Sequence, residues 1–293
     1  SFDLTGKISA NPYVQAKWSY DMPDIPTVNA SASFRWTDMS MLNFGTNNLS
    51  LSYFNARQEV YLSNIKWRFL DIRGGLRNDI FDIRNIKSSN VIDEYDKTSL
   101  TNDFMSLFAD GRTDTFDDGY FPTKGVNAGL SYAWTFAGIP EMINNFHTLQ
   151  ADAKLVVPGG DGFTFIPSFY CRFLMGKEIP LAYFNAIGGS LPGRFVDQQV
   201  PFIGLTNLVA MKNIMTMFRT DFRFEVARNH YVTGTINYVR DAETFRQFGE
   251  GMGNFGAGVE YSYDTIFGPI SVNVHWSDFT GKVGLYLSAG FNF

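Results

Sequence analysis

The C-terminal stretch KVGLYLSAGFNF, residues 282–293, alternates between two kinds of side chain. From Val283 onwards every odd position is apolar, whereas the even positions carry Gly, Tyr, Ser and Asn. Successive side chains of a β-strand point to opposite faces, so a period of two residues indicates a strand with one apolar and one polar face. This stretch therefore predicts a terminal β-strand.

The same period recurs along nearly the whole chain. Residues 269–277 and 126–136 repeat it, and the polar face of the second segment consists of small residues such as Asn127, Gly129 and Ser131. Turn sequences rich in Gly, Pro and Asp separate the segments. The pattern predicts fourteen strands, at residues 2–10, 13–20, 28–37, 48–64, 65–80, 103–117, 124–137, 146–157, 161–175, 214–227, 230–240, 254–264, 269–277 and 282–293. Residues 196–212 are apolar on both faces and are assigned to a loop; counting them as a strand and dividing 48–64 would give sixteen.

Composition excludes several classes of protein. The chain has 293 residues, a formal net charge of −5, one cysteine and three histidines, which argues against a disulfide scaffold, a cysteine-based zinc module and a polybasic nucleic-acid binder. The sequence has no run of about 18 apolar residues, so it predicts no transmembrane helix. The motifs G-x-S-x-G and H-E-x-x-H and the P-loop are missing from the sequence.

Alternation fits a soluble β-sandwich as well as a membrane barrel, and three further features favour the barrel. The polar face is small and polar, with charge clusters such as Asp71, Arg73 and Arg77, which suits a wet or plugged lumen. The last strand ends on an aromatic residue. Aromatic residues also gather at strand ends, as in the two interfacial girdles of a transmembrane barrel; they are Trp18, Tyr20, Trp36, Tyr132, Trp134, Phe136, Tyr261, Tyr263 and Trp276.

Two long segments interrupt the strands. Residues 81–102 are polar and charged, which predicts a surface loop. Residues 176–213 are rich in Gly, Pro and apolar residues, and we expect this loop to be packed and to plug the lumen of a wide barrel. Its apolar members are Phe184, Ile187, Phe195, Val200, Phe202 and Ile203. Within 48–64 the alternation changes phase near residues 55–58, which predicts a bulge or a turn there.

Residues 176–205 of this loop read GKEIPLAYFNAIGGSLPGRFVDQQVPFIGL. They resemble the sixth extracellular loop of the BamA/two-partner-secretion superfamily, in the version carried by patatin-like phospholipases of Bacteroidota. The resemblance rests on a glycine pair, on a G-R-F sequence and on a following Q-Q-x-P-F sequence. The matching residues are Gly188, Gly189, Gly193, Arg194, Phe195, Gln199, Pro201 and Phe202.

Further matches lie outside the loop. Residues 117–125, DDGYFPTKG, resemble the family's periplasmic turn F-P-T-x-G, with Phe121, Pro122 and Gly125 at the motif positions. Residues 263–270 and 282–293 resemble its last two hairpins. The terminal Phe291 and Phe293 resemble the C-terminal signal of bacterial outer-membrane barrels.

The resemblance implies an all-β fold, an antiparallel transmembrane β-barrel of the sixteen-stranded BamA-like type whose long sixth extracellular loop folds inward. Residues 1–293 would form this barrel domain, with residues 176–213 as the plug and Ser1 near the start of the third strand. About fourteen strands would then lie in this chain, and patatin and POTRA-type domains are expected upstream of it.

In the superfamily the loop arginine pairs with acidic residues inside the barrel, and the resemblance implies this role for Arg194. Alternation in strand 214–227 places Arg219, Asp221, Arg223 and Glu225 on one face. That face must be the lumen, because a charge facing lipid costs ~2–4 kcal/mol near the midplane. We expect Asp221 or Glu225 to pair with Arg194, while Asn237 stands where the family often has an inward Asp.

Other candidate sites are weaker. Gly188-Gly189-Ser190 lacks the last glycine of a nucleophile elbow and reads as a turn. The acidic residues Asp110, Asp114, Asp117 and Asp118 lack the donor spacing of a calcium loop. The histidines His147, His230 and His275 lie on separate predicted strands without paired spacing. We therefore expect no metal, no cofactor and no catalytic residue in this chain.

The resemblance implies a barrel in the bacterial outer membrane that anchors, and helps to export, an N-terminal phospholipase domain. Two alternatives stay open, a BamA-like assembly or translocation barrel and a passive porin, and a lectin-like sandwich is the non-membrane alternative. The expected partners are outer-membrane lipid or lipopolysaccharide and the barrel-assembly machinery during insertion. The resemblance also leaves a homodimer open, and nucleic acid is not expected.

Overall fold

The computed structural model describes residues 1–7, 11–43, 47–88, 100–139, 145–177, 179–189 and 196–290. Fourteen of its strands are long and pair in antiparallel fashion, and they are called wall strands below. Three short strands lie in the long loop. The wall strands are β1 (Phe2–Lys7), β2 (Tyr13–Met22), β3 (Ile25–Asn43), β4 (Asn47–Trp67), β5 (Leu70–Ser88), β6 (Leu100–Asp114), β7 (Gly125–Ile139), β8 (Phe146–Gly160), β9 (Phe163–Met175), β13 (Ile214–Ala227), β14 (His230–Ala242), β15 (Asn254–Thr265), β16 (Gly268–Ser277) and β17 (Val283–Ala289). The loop strands are β10 (Asn185–Gly188), β11 (Gln199–Val200) and β12 (Leu208–Met211).

In the described ranges, helical structure is limited to single 3-10 turns at Leu181–Tyr183 and Gln247–Gly249. Among the described residues there is no helix with the length and hydropathy needed to cross a bilayer. Tight turns join successive wall strands, and four of them place a non-glycine residue at positive φ, at Asp24 (60°), Arg68 (57°), Asp161 (48°) and Asn229 (65°). Such φ values are typical of two-residue hairpin turns, which fix the register of the strands they join.

The chain forms two compact units. The first comprises residues 1–112, 130–150 and 173–184, and the second comprises residues 113–129, 151–172 and 185–293. Strands β6 to β9 contribute residues to both. Within the first unit β1 to β6 pair with their sequence neighbours, and within the second β13 to β17 do the same, while β13 also pairs with β9.

The inner face of the first unit carries charged side chains. Three ion pairs join neighbouring strands there, Arg57–Asp79 (2.6 Å), Arg77–Glu59 (2.6 Å) and Arg73–Asp110 (2.8 Å). The opposite face exposes aliphatic side chains, for example Val60 (59% exposed) and Leu76 (49%). An apolar exterior around a polar interior is the arrangement of a transmembrane barrel wall.

The second unit is built in the same way. Its inner face buries Asp221, Arg223 and Thr235, while its outer face exposes Phe218, Phe224 and Val259, among others. Outward phenylalanines pair across β9 and β13, with ring centroids 4.8 Å apart for Phe163–Phe224, 5.5 Å for Phe165–Phe222 and 5.0 Å for Phe169–Phe218. These pairs stabilise the contact between two strands that the long loop separates in sequence.

The structure corrects three predicted boundaries. The turn after β4 lies at Arg68 and Phe69, not between residues 64 and 65. Residues 81–88, predicted as the start of a surface loop, continue β5, and the rest of that loop up to residue 99 lies outside the described residues. The long loop, predicted as packed but without strands, forms three short strands.

The predicted change of phase near residues 55–58 has a different cause. Register shifts against β5 lie on either side of this stretch, between Ser52 and Tyr53 and between Leu62 and Ile65, and Asn64 within the second shift takes a φ of 60°. From Leu51 to Tyr61 the odd residues of β4 stay on the inner face. The apparent change of phase arises because the inner face of β4 is apolar near the start of the strand, where Leu51 (2% exposed) and Tyr53 (7%) are buried. The apolar residues are thus the inward ones at the start of β4 and the outward ones further along it.

Candidate functional site

The long loop of residues 176–213, called the plug loop below, carries its own small sheet in the second unit. Strand β10 pairs with β12 in antiparallel fashion and with β11 in parallel, so that Ala186 stands opposite both Ala210 and Gln199. Eight apolar side chains among the described residues of the loop are buried to 7% exposure or less; they are Ala186, Ile187, Val196, Phe202, Leu205, Leu208, Val209 and Met211. The plug loop is thus a packed body.

Asn185 ties the two ends of the plug loop together. Its side chain is fully buried, and its amide nitrogen donates to the carbonyl oxygens of Lys212 (2.7 Å), Asn213 (3.1 Å) and Arg172 (3.4 Å). Its oxygen accepts from the guanidinium of Arg172 at 2.8 Å. Because β9 leads into the loop and β13 leaves it, Asn185 closes the neck of the plug loop.

The middle of the plug loop is tied to the wall of the second unit. With its amide oriented to pair both atoms, Asn237 donates to the carbonyl of Gly256 (3.0 Å) and accepts from the N–H of Ile203 (2.9 Å). The hydroxyl of Ser277 donates to the carbonyl of Gly204 at 3.0 Å. Within the loop, the Gln199 amide donates to the carbonyl of Gly188 at 2.8 Å.

In the first unit the plug loop contributes one aromatic anchor, Tyr183. Its ring makes edge contacts with Phe81 (5.9 Å between centroids), Phe104 (5.3 Å) and Phe146 (4.9 Å). Its hydroxyl donates to Asp79 at 3.4 Å, and Asp79 also accepts from Arg57. This aromatic socket explains why the inner face of β4 is apolar at the same level.

The inner face of β13 presents a charged cluster. Arg219 binds both carboxylate oxygens of Asp221 (2.9 and 3.1 Å), and Thr235 on β14 donates to Asp221 at 2.7 Å. The structure therefore places Asp221 on the lumen face and gives it Arg219 as an ionic partner. Glu225 is exposed at the far end of the strand, where it accepts from the N–H of Asn229 (3.4 Å), and Asn237 holds the plug loop instead.

Several predicted residues lie outside the described residues: Gly193, Arg194, Phe195, Phe291 and Phe293. The pairing of Arg194 with the β13 cluster therefore stays a prediction. The remaining motif residues are placed as follows. Gly188 (φ 112°) and Gly189 (φ 69°) adopt backbone conformations that favour glycine, and Phe202 is buried at 1% exposure.

The ten residues between β6 and β7, residues 115–124, form a turn organised by two aspartates. Asp117 accepts from the N–H groups of Thr123 (2.8 Å) and Lys124 (3.3 Å) and from the Thr123 hydroxyl. Asp118 accepts from the N–H groups of Tyr120 (2.8 Å) and Phe121 (2.7 Å). The hydroxyl of Thr123 and, to a smaller extent, the N–H groups of Thr123 and Lys124 lower the pKa of Asp117 to about 2.

This turn docks on the inner face of β13 and β14. The ring of Phe121 stacks on Tyr231, with centroids 4.1 Å apart and planes 11° from parallel. Arg223 donates to the carbonyl of Pro122 and lies 5.8 Å from the Phe121 centroid and 5.7 Å from that of Tyr231. Gly125 (φ 123°) ends the turn, and a Cβ there would stand 2.4 Å from the carbonyl oxygen of Thr115.

A cavity of about 290 Å³ lies on the inner face of the second unit. Residues 201–206 of the plug loop line one part of it, and Tyr120 and Phe121 of the turn line another. Its walls are mostly hydroxyl, amide and charged side chains from β13 to β17; they are Arg219, Thr233, Thr235, Glu260, Ser262, Ser271, Asn273, His275, Tyr286 and Ser288. We call this cavity the chamber.

An inward-packed plug loop and a polar inner face agree with the match of the sequence to a family model. Residues 24–293 match the model of the OMP85 superfamily. The chain belongs to the OMP85 superfamily. No curated protein matches this OMP85 chain at a significant level.

Solved structures show the same fold. BamA from Haemophilus ducreyi lacking POTRA domains 1–3 superposes with a TM-score of 0.70 at 13% identity, over 94% of this chain and 60% of that one. CdiB from Acinetobacter baumannii gives 0.55 at 7% identity, over 91% and 46% of the two chains, and CdiB from Escherichia coli gives 0.54 at 12%, over 95% and 51%. The OMP85 chain thus has the predicted BamA-like fold and spans 46% to 60% of the lengths of these proteins.

The other candidate sites of this OMP85 chain find protein partners. Asp110 pairs with Arg73, Asp114 accepts from Asn127 (2.6 Å), and the remaining two aspartates organise the turn. His147 and His230 bind Tyr132 (2.8 Å) and Tyr261 (2.6 Å), while His275 binds Asn273 (2.9 Å). Within the described ranges no group of three or more His, Cys, Asp or Glu residues could hold a metal ion. Ser190 lies outside those ranges.

Asn185, Tyr183, Arg172 and Ser277 were missed by the sequence analysis. One of them carried a signal. Arg172 alternates with Tyr170 and Ile166 in an otherwise apolar strand, and a charge in such a strand predicts the lumen face. The other three carried none, because a loop residue has no periodicity and a serine on a polar face is unremarkable.

Proposed function

We propose that this chain is the membrane-embedded barrel of a longer outer-membrane protein, and that it anchors an N-terminal patatin-like phospholipase domain and passes it to the cell surface. The observation that carries the proposal is the polar chamber beneath a plug loop tied to the wall from inside. If a barrel has a polar lumen that its own loop closes, movement of that loop could open a path for a polypeptide. The patatin part rests on the likeness of residues 176–205 and 117–125 to the version of the family found in Bacteroidota.

The chemistry in this proposal belongs to the upstream domain. We assign no catalytic residue to the barrel in this proposal, and two of its inward carboxylates, Asp79 and Asp221, pair with Arg57 and Arg219. The outer face would contact outer-membrane lipid or lipopolysaccharide, and the barrel-assembly machinery would insert the chain. A homodimer in the membrane is a further proposal from the same likeness.

The intact mass of the native polypeptide, purified from outer membranes, tests the proposal. We expect a mass larger than the 33.0 kDa of this chain by tens of kilodaltons and phospholipase activity that a substitution of the upstream nucleophile abolishes. A native mass near 33.0 kDa would refute the anchored-enzyme proposal. A larger protein without activity on phospholipid would refute the patatin part alone.

A second function is assembly or translocation of other proteins, and the likeness in fold to BamA and CdiB favours it. Depletion of the protein from cells distinguishes the two functions. If other outer-membrane barrels lose insertion within a few generations, the barrel acts on other chains; if their levels stay unchanged, it serves its own upstream domain.

A passive porin is the third function, and the plug loop argues against it. The loop's packed apolar residues and the hydrogen bonds of Asn185 and Asn237 hold it within the wall. We expect the protein to be electrically silent or to open only briefly in planar bilayers. A large and steady single-channel conductance would support the porin instead.

A further inference from the structure

The chamber is bounded by two different segments of the chain, the plug loop and the turn of residues 115–124. We propose that this turn is a second closure of the chamber, at the end of the second unit where the short turns lie. The chamber is then a compartment between two gates. The proposal does not depend on what the barrel exports.

The position of the turn in the sheet shows that it reaches inward. It joins β6 and β7, whereas Arg223 and Tyr231 belong to β13 and β14, and β8 and β9 stand between β7 and β13. Neighbouring strands are about 4.8 Å apart, so β7 and β13 are separated by about 14 Å along the wall. To stack on Tyr231, Phe121 has to leave its own hairpin and cross the inside of the sheet.

The residues that receive the turn point into the lumen. Arg223 and Tyr231 have the same parity along their strands as Asp221 and Thr235, which are buried on the inner face. The two strands pair so that Glu225 stands opposite Tyr231 and Arg223 opposite Thr233, and Thr233 lines the chamber. The docked turn therefore lies directly over the chamber's short-turn end.

The turn is built to move as one piece. Asp117 and Asp118 hold its backbone through their own hydrogen bonds, whereas the contacts to β13 and β14 described above are one ring stack and the contacts of one arginine. Loss of the ring stack would weaken this docking and leave the internal frame of the turn intact. The plug loop, which is tied elsewhere, would stay closed.

A single reporter cysteine tests the proposal in the full-length protein, folded in detergent micelles. Thr233→Cys places a thiol on the chamber wall, in a background where the buried Cys171 is replaced by serine. The rate of its reaction with a small charged methanethiosulfonate is measured with and without Phe121→Ala. The matched control is Phe267→Ala, which removes a 77% exposed phenylalanine from another short turn.

We expect Phe121→Ala to raise the labelling rate at least tenfold and Phe267→Ala to leave it unchanged. An unchanged rate in Phe121→Ala would overturn the proposal, and so would an equal rise in both variants, which would indicate general loosening of the barrel. Folding is checked by the heat-dependent gel shift. If Phe121→Ala lacks that shift, Phe121→Leu is read in its place, since leucine keeps the apolar contact without the stack, and the same two outcomes decide.

Discussion

Asn185 is the residue on which the neck of the plug loop depends. Its amide satisfies three carbonyl oxygens and the Arg172 guanidinium, and the side chains of Asn185 and Arg172 are buried. Leaving a buried polar group without a partner costs about 1–3 kcal/mol, and more for a charged one.

We expect Asn185→Ala to loosen the chain at Lys212, whose carbonyl loses its donor. Trypsin cleaves after lysine, so cleavage between Lys212 and Asn213 in the folded protein should accelerate at least tenfold, as a loss of ~1.4 kcal/mol predicts. Asn207→Ala is the control, because Asn207 lies in the same loop with an exposed side chain. Equal cleavage rates in the two variants would contradict the role of Asn185.

Tyr183 combines an aromatic contact and a polar contact, and two substitutions separate them. Tyr183→Ala empties the socket formed by Phe81, Phe104 and Phe146 and should lower the free energy of unfolding by about 3–5 kcal/mol. Tyr183→Phe removes only the 3.4 Å hydrogen bond to Asp79, which is long and should cost less than ~1 kcal/mol. Urea unfolding in micelles measures both; equal effects would mean that the hydroxyl, not the ring, anchors the loop.

Sequence alone could predict which residues face the lumen but not which of them bind one another. The alternation of β13 placed Arg219, Asp221 and Arg223 inside, as the burial of Asp221 and Arg223 and the ion pair of Arg219 with Asp221 show. The resemblance placed Asn237 among the lumen partners of Arg194, which stays a prediction, and the structure brings Asn237 to the backbone of Ile203. Backbone groups carry no sequence signal, so an amide that binds a distant main chain cannot be recognised from the pattern.

At the scale of elements, the pairing of β4 with β5 depends on one close approach. Gly75 stands opposite Tyr61, next to the register shift after Leu62, and a Cβ on it would lie 2.1 Å from the carbonyl oxygen of Val60. Gly111 on β6 has only a 3.9 Å contact with the side chain of Ile72.

Gly75→Ala should therefore force the two strands apart. Overpacking of this kind costs about 1–3 kcal/mol, and the temperature at which the heat-dependent gel shift disappears should fall. Gly111→Ala is expected to leave that temperature nearly unchanged, since its new methyl group has room. Two equal decreases would mean that β-propensity, not the contact with Val60, sets the effect.

The turn of residues 115–124 is held by a carboxylate, so its order depends on pH. The pKa of Asp117 is about 2, below its ordinary value of 3.8, chiefly because it accepts the Thr123 hydroxyl. A carboxyl with a lowered pKa in the folded state stabilises that state fully above pH 3.8 and loses this effect as the pH falls through about 2. The turn should accordingly keep its frame at pH 4 and above.

Carbon-13 NMR of the aspartate carboxyl groups in micelles measures this pKa directly. Thr123→Val removes the hydroxyl donor but keeps both N–H donors, so the pKa of Asp117 should rise towards 3.8 without reaching it. Thr265→Val, at another short turn, should have no effect. A pKa of 3.8 already in the unchanged protein would show that the turn is not organised by Asp117.

The strands illustrate where periodicity succeeds and where it misleads. It located all fourteen wall strands because a barrel wall separates lipid from lumen at every residue. It failed at Tyr53 and Phe81, which are buried on the inner face under the plug loop. Aromatic rings pack on the inner face there, so an apolar residue need not point outward. The sequence of a continuous strand then looks as if its alternation changed phase.

For the whole molecule, the outer face decides whether these strands cross a membrane. In lipid, an arginine on that face lowers the free energy of unfolding by ~2–4 kcal/mol at the bilayer midplane and by ~0–1 kcal/mol near the interfaces. For a protein in water the loss would not depend on the position of the arginine along the strand. Val259 lies in the middle of β15 and is 56% exposed, and Ile270 is 50% exposed near the turn that joins β15 to β16. The two positions differ in depth and hardly in exposure.

Val259→Arg should thus lower the free energy of unfolding in phospholipid vesicles by ~2–4 kcal/mol, and Ile270→Arg by no more than ~1 kcal/mol. Reversible urea unfolding, followed by tryptophan fluorescence, gives both values. A β-sandwich in water would tolerate the two arginines equally, because neither side chain would leave solvent. Equal losses of stability would therefore contradict a membrane-spanning fold. A larger loss for Val259→Arg would show that residue 259 lies deeper in the bilayer than residue 270.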